Sequence, residues 1–596
     1  MTATDTALPT WDMTTVFPSL DSPEFEFEFE SVSAAIEDLV VLFDAHNVAH
    51  RAESSVDAAF VASYEAVIES LSLLQERLRT LSTYINCFVT TDANDDIAKS
   101  RDALLSMRSV KLYKLYTRLA AWIGSSDVDA LLNESEVARS LEYAVRRAAY
   151  TASHQMSPVE EDLATELQSS GISGWVKLHS NLTALLAVDV TLNGERKKLP
   201  MSAIRSLSID PDREVRKAAF EAEIQAWEDA SLPIAAALNG VKGHQQVLRK
   251  RRGFADDIEQ TLFYNGIDRQ TLDAMHQACT ESFPHFRRYM AAKARALGLD
   301  QLAWYDISAP IGAEPRLWSW SEAEAFIQKN FARYSSRLAD FALQTFEERW
   351  IDAGQRVGKE GGAYCAGIRP GESRVMMNYN GSFNSVSTLA HELGHAYHNR
   401  NLQYRQPLQR GTPATLAETA SIFCETLAFD GALSIATESE RLVLLDTVLE
   451  RNLMVVVDIH SRFLFEKSVF DKRAVRELTT KEFKELMTQA QLETYGDGLS
   501  CLHPFMWAVK GHYYGPTFYN YPYTFGLLFA LGLYARYQQS PDAFRADYDE
   551  FLSSTGMADA VTLGKRFGAD VQSVDFWRSS LNVITGQIAE FEGLVG

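Results

Sequence analysis

At 596 residues the chain exceeds what one compact core normally supports, so at least two lobes or one large multi-layered α-rich body are expected. Its 57 basic against 79 acidic side chains leave a formal charge of -22, a surface that repels phosphate backbones and anionic membranes and argues against nucleic acid as a partner. No run approaches the 18 apolar residues of a membrane span, and five scattered cysteines without a CxxC argue against a disulfide framework or a thiolate metal site.

The first residues, MTATDTALPTWDMTTVF, carry neither a basic n-region nor a continuous apolar h-region, and a cytoplasmic location is the expectation. At 22–43, SPEFEFEFESVSAAIEDLVVLF alternates Phe and Glu as a strand would. Over the longer window Phe25, Phe29, Val32, Ile36, Leu39 and Phe43 recur at spacings of three and four, one face of a helix, with Pro23 in the first turn and Asp21 or Ser22 as cap. Similar periods over 56–90, 97–123, 138–153 and 158–168 make the first third helical, and the expected division is a helical lobe over 1–200 and a mostly helical region over 201–596, interwoven with it. A hairpin is predicted in LTALLAVDVTLNGERKKLPM, where Val188, Val190 and Leu192 alternate before the turn residues Asn193 and Gly194. Two long helical segments are expected over 212–250, where the one basic cluster, LRKRRG at 248–253, reads as a solvated helix end. GGAYCAGIRPGESRVMMNYNGS at 361–382 reads as two short strands around a Pro/Gly turn; helices then resume, broken by a Tyr-rich, Pro-punctuated stretch at 512–526.

Directly after the strand pair comes STLAHELGHAYHNR, 387–400. On a helix His391 and His395 stand one turn apart on the same face and can meet a single ion, and Glu392 points to the edge of that face, where it can reach a water without being a ligand. Gly394 costs about 1 kcal/mol relative to Ala inside a helix, which implies that something passes close by. Downstream, TPATLAETASIFCETLAFD at 412–430 reads as an amphipathic helix with Glu418 and Glu425 seven apart on one face. A catalytic zinc takes three protein ligands and keeps one open position, so Glu418 is assigned as the third ligand beside His391 and His395. Glu425 is either an outer partner of a ligand histidine or a surface carboxylate. His398 has no glycine or further histidine at the spacing a three-histidine site needs, since 401 is Asn, and is read as a polar helix-end or supporting group.

The stretch GGAYCAGIRPGESRVMMNYNGSFNSVSTLAHELGHAYHNR, together with AETASIFCE, resembles the oligoendopeptidase F branch of the thimet oligopeptidase family of zinc metallopeptidases. The likeness runs from WDMTTVFPSLDSPEF near the start, through LPMSAIRSLSIDPDREVRKAAFEAEIQAW, to GHYYGPTFYNYPYTFG near the end. The resemblance implies a mostly α, two-lobed ellipsoid with a deep active-site channel and a small β-sheet beside the zinc helix. It also implies one zinc per chain and short unstructured peptides as substrates, with no obligate protein partner. It maps the third zinc ligand onto Glu418 and an outer-shell carboxylate onto Glu425, and it places oxyanion binding among His512, Tyr519, Tyr521 and Tyr523. Pro522 suits a first helical position, with Asn520 or Tyr521 as cap, which puts His512 and Tyr519 on a loop and Tyr523 in a first turn.

The expected chemistry is attack of a zinc-activated water on an internal peptide bond, with Glu392 as general base and the strand of Met376, Asn378 and Tyr379 aligning the peptide by edge pairing. A zinc carboxypeptidase or dipeptidyl carboxypeptidase shares the histidine motif but needs a cationic anchor for the substrate C-terminus, which the sequence does not place. A peptide-binding scaffold with a vestigial metal site is the other alternative, and it has no reason to keep Glu392.

Overall fold

The computed structural model describes residues 8–312 and 316–596; of the first stretch read above, residues 1–7 lie outside the described part. The protein is mostly helical, with one two-stranded and one three-stranded sheet among the described residues. The chain forms two compact units, each assembled from three separate stretches.

The first unit comprises Met1–Gln155, Arg316–Ala432 and Arg536–Phe567. It begins with helices Pro23–Ala45, Ala58–Thr91 and Asp96–Gly124, which pack on one another. The Phe/Glu segment is helical because its long-period apolar set is buried in full: Phe25, Phe29, Val32, Ile36, Leu39 and Phe43 all lie in the core. Ser22 caps it by accepting a hydrogen bond from the Phe25 amide at 3.2 Å. The expected helix over 138–153 is broken into Glu136–Ser140 and Glu142–Ser153.

The sheet of this unit has the order Ile351–Asp352, Glu372–Met376, Tyr364–Arg369, with the middle strand parallel to the first and antiparallel to the last. The two longer strands are those expected, joined through Pro370 and Gly371, whose φ of 76° a residue with a Cβ rarely adopts. The two-residue strand Ile351–Asp352 is too short to leave a period in the sequence. Helix Phe383–Asn401 packs on the sheet, so the histidine motif stands directly beside it.

The second unit comprises Met156–Pro315, Leu433–Ala535 and Gly568–Gly596. Its hairpin pairs Ala187–Leu192 with Glu195–Pro200 around Asn193 and Gly194, both at positive φ, the two-residue turn that matches strand twist. The two helical segments expected over 212–250 are one helix, Arg213–Arg251, which runs through Pro233. Burial of Trp227, Ile234, Ala237, Leu238 and Val241 on either side of the proline outweighs the one backbone hydrogen bond it removes. Further along, a π-helical turn, Met454–Asp458, joins helix Glu438–Leu453 to helix Ile459–Arg473.

Candidate metal centre and aromatic cluster

Helix Phe383–Asn401 starts at Ser382, whose hydroxyl accepts from the Ser385 amide at 3.2 Å. His395 is four positions after His391, so their rings share one face and meet edge to face with centroids 4.9 Å apart. Both are partly open to solvent. The facing element differs from the expected amphipathic helix: a single turn, Ala414–Ala417, ends at Glu418, and helix Thr419–Leu433 follows. That second helix is buried on nearly all sides, which its apolar composition explains and a one-face reading does not.

Glu418 sits at this break. Its Oε2 lies 3.2 Å from His391 Nε2 and 3.4 Å from His395 Nε2, and accepts from the Ser421 hydroxyl at 2.8 Å. One ligand atom from each of His391, His395 and Glu418 falls within 4.8 Å of the others. Such a two-imidazole, one-carboxylate set fits a catalytic divalent zinc, with a fourth position left for water or substrate.

Gly394 makes the approach possible. A Cβ there would lie 2.5 Å from both the Ala420 carbonyl oxygen and the Ser421 Cα, so the two chains meet backbone to backbone beside the ligands.

Glu425, one helix turn pair further on, places Oε2 at 3.2 Å from His391 Nδ1 and takes the Ser387 hydroxyl on Oε1 at 2.9 Å. A carboxylate on Nδ1 holds the proton there and turns Nε2 toward Glu418. Glu392 is 5% exposed, and its Oε2 is buried with no hydrogen-bond partner. Burial pushes its carboxyl above the usual range, partly opposed by His391 and His395. An orphaned carboxylate oxygen at this place has the makings of a proton acceptor for a water that the protein itself does not supply. His398 is no part of this group. It is buried, and its Nε2 meets the Thr555 hydroxyl at 2.8 Å, where burial lowers its pKa to about 4.

The strand expected to align a peptide is the middle one of its sheet, with partners on both sides. Met376 is buried, the Asn378 amide donates to the Glu360 and Gly362 carbonyls, and the Tyr379 hydroxyl donates to the Trp318 carbonyl at 2.9 Å. All three side chains are engaged in holding the fold. The edges of the sheet are the two-residue strand Ile351–Asp352 and the longer strand Tyr364–Arg369.

In the second unit a 3-10 turn, Gly511–Tyr514, and a loop lead into helix Tyr521–Gln539. The loop is clamped from below: Gln245 donates to the Gly515 carbonyl at 2.8 Å, and the Phe518 amide donates to Glu466, itself paired with Lys242 at 2.7 Å. On this buried base stand three exposed rings. His512 and Tyr519 have centroids 4.8 Å apart, and the Tyr523 hydroxyl donates to that of Tyr519 at 3.0 Å. Tyr521 points the other way. It is 1% exposed, donates to the Thr261 carbonyl and accepts from the Asn265 amide, each at 3.1 Å.

Ser387 and Ser421 were not singled out by sequence, and Asn520 only as a helix cap. The first two carry a signal in retrospect: Ser387 is one turn before His391 and Ser421 three residues after Glu418, the spacings that share a helix face. Among the described residues no helix is long and apolar enough to cross a membrane.

The model of Peptidase family M3 matches residues 206–583. An oligoendopeptidase F homologue of Lactococcus lactis subsp. lactis (strain IL1403) is 24% identical, over 98% of this chain and 97% of that protein. Oligopeptidase PepF of Bacillus subtilis (strain 168) is 23% identical over 98% of this chain and 87% of its own length. Among solved structures, a Chlamydophila abortus protein described as a peptidase superposes with a TM-score of 0.83 at 19% identity, over 98% of both chains. Oligoendopeptidase F from Enterococcus faecium gives 0.69 at 17% identity, over 96% of this chain and 99% of its own.

Proposed function

The chain belongs to peptidase family M3, and from that premise we propose that it is a zinc-dependent endo-oligopeptidase cutting internal bonds of short unstructured peptides. The observation that carries the reading is the His391, His395 and Glu418 donor set with the unpartnered Glu392 carboxylate oxygen beside it.

Held by that donor set, one zinc supplies Lewis acidity toward the scissile carbonyl and the attacking water. The protein's own groups do the rest. Glu392 takes the water proton during attack and passes it to the leaving amine; its raised pKa brings it nearer that of the group it must re-protonate. Glu425 keeps the His391 proton on Nδ1 and so keeps Nε2 a ligand. Oxyanion binding falls to the exposed hydroxyls of Tyr519 and Tyr523, because the Tyr521 hydroxyl is committed to Thr261 and Asn265. Peptide alignment passes from the Met376 strand to the edge strand Tyr364–Arg369, which has a sheet partner on one side only.

Digestion of a mixed peptide library with and without chelator, read by mass spectrometry, tests the proposal. Chelator-sensitive internal cuts confined to short peptides are expected. Stepwise trimming from the C-terminus would instead favour the carboxypeptidase alternative.

A further inference from the structure

We propose that Asn520 is a positioning residue that locks His512 with its proton on Nδ1, so that the Nε2 atom of His512 accepts a hydrogen bond from a backbone N–H of the bound peptide. The inference rests on the oligopeptidase reading for its substrate and on geometry for everything else.

His512 Nδ1 lies 2.7 Å from Asn520 Oδ1. Which end of the Asn520 amide faces the ring is decided by a third residue. Arg462 Nη1 lies 3.2 Å from the same Asn520 atom, and a guanidinium can only donate, so that atom is the oxygen. Its two lone pairs are then taken by Arg462 and by the ring, and the ring must donate from Nδ1. Arg462 is itself fixed, since its Nε donates to Asp458 Oδ2 at 2.7 Å and its second amino group closes on the same oxygen. Asp458 ends the π-helical turn Met454–Asp458, and its other oxygen meets the Tyr495 hydroxyl at 3.3 Å. The order therefore runs from a backbone irregularity through Asp458, Arg462 and Asn520 to one ring nitrogen. Asn520 is 4% exposed and Arg462 8%, so both hydrogen bonds lie in a largely buried setting.

In a neutral imidazole one nitrogen donates and the other accepts. With Nδ1 committed as donor, Nε2 carries a lone pair. No protein donor occupies it among the described residues, and the ring is exposed beside Tyr519 and Tyr523. Such a nitrogen cannot donate to an oxyanion. It can receive an amide N–H, which every peptide substrate has. The charged groups around the ring favour the neutral form: partial burial, Arg462 and Lys510 lower its pKa, against the Asn520 hydrogen bond and Glu466, which raise it.

The test begins on the full chain without metal or peptide, so it does not depend on the peptidase reading. In protein carrying 15N-imidazole histidine, with the His512 signals assigned by loss in His512→Gln, nitrogen shifts near neutral pH are expected to show Nδ1 protonated and Nε2 bare. An Nε2–H tautomer or an imidazolium overturns the proposal. Asn520→Asp keeps the acceptor and adds a charge, and should raise the His512 pKa by about one to three pH units; an unmoved pKa in a variant that melts like the parent overturns it too. On the active holoenzyme, substrates N-methylated singly at each backbone nitrogen complete the test. At one position the methyl and His512→Phe should each cost about tenfold in kcat/KM and cost no more together. Costs that multiply at every position exclude the contact with the peptide while leaving both the tautomer and the peptidase assignment standing on their own measurements.

Discussion

Glu425 and His391 face each other across 3.2 Å, carboxylate to Nδ1, with Ser387 holding the other carboxylate oxygen. The pair controls how one ligand presents its second nitrogen. Glu425→Gln is expected to weaken zinc binding by about 10- to 100-fold, read by competition with a chelator, while the fold melts near the parent temperature. An unchanged zinc affinity would remove Glu425 from the metal centre.

Glu392 separates holding metal from using it. Glu392→Gln preserves the shape of a buried side chain whose oxygen has no partner, so the zinc content of the purified protein should stay at one per chain. Peptide hydrolysis should fall by about 100-fold or more, the scale of general-base catalysis.

Gly394→Ala puts a methyl 2.5 Å from the Ser421 Cα and the Ala420 carbonyl oxygen. Neither is a flexible side-chain end, so the backbones must part. A loss of about 1–3 kcal/mol in stability is expected from overpacking, measured by denaturant midpoint, together with weaker zinc retention because Glu418 rides on the displaced segment.

The late tyrosines should divide. Tyr521→Phe strips a buried hydroxyl from Thr261 and Asn265 and should cost about 1–3 kcal/mol of stability. Tyr519→Phe should leave the melting temperature in place and lower kcat/KM. The reverse pattern would return the oxyanion role to Tyr521.

Acid stability has a predicted source outside the metal centre. His460 is 8% exposed, its Nδ1 has no hydrogen-bond partner, and the rings of His276 and Phe283 flank it at 4.6 and 5.3 Å. Burial lowers its pKa from 6.5 to about 4, and His276 is lowered as well. The folded state thus binds fewer protons than the unfolded one between those values. The contribution of His460 is complete above about pH 6.5 and falls away as pH drops toward 4, a loss of up to about 3 kcal/mol. Denaturant midpoints measured across that window should fall less steeply for His460→Phe.

The sequence carried its clearest information where one residue type at one spacing has one physical meaning. The 25-29-32-36-39-43 series overrode a false strand signal, and H-E-x-x-H located a face. Even Gly394 announced a close approach, whose other side is Ser421. The break at Glu418 was invisible because its helix is buried all round, so no polar face marks where the turn ends. The inward turn of Tyr521 depends on Thr261 and Asn265, some 260 positions earlier, and Asn520 owes its orientation to Arg462. Local periodicity does not report such distant partners.

The alternation of the two units along the chain bears on how the protein is made. Tyr397 and His398, on the histidine-motif helix, bond to Asp549 and Thr555, and Phe423, between Glu418 and Glu425 in sequence, stacks on Phe544 and packs against Tyr548. A ribosome that has already delivered His391, His395 and Glu418 must still add well over a hundred residues before those supports exist. The nascent chain therefore carries an unsupported metal-binding segment while that further length is added, and commitment to a working hydrolase waits for it.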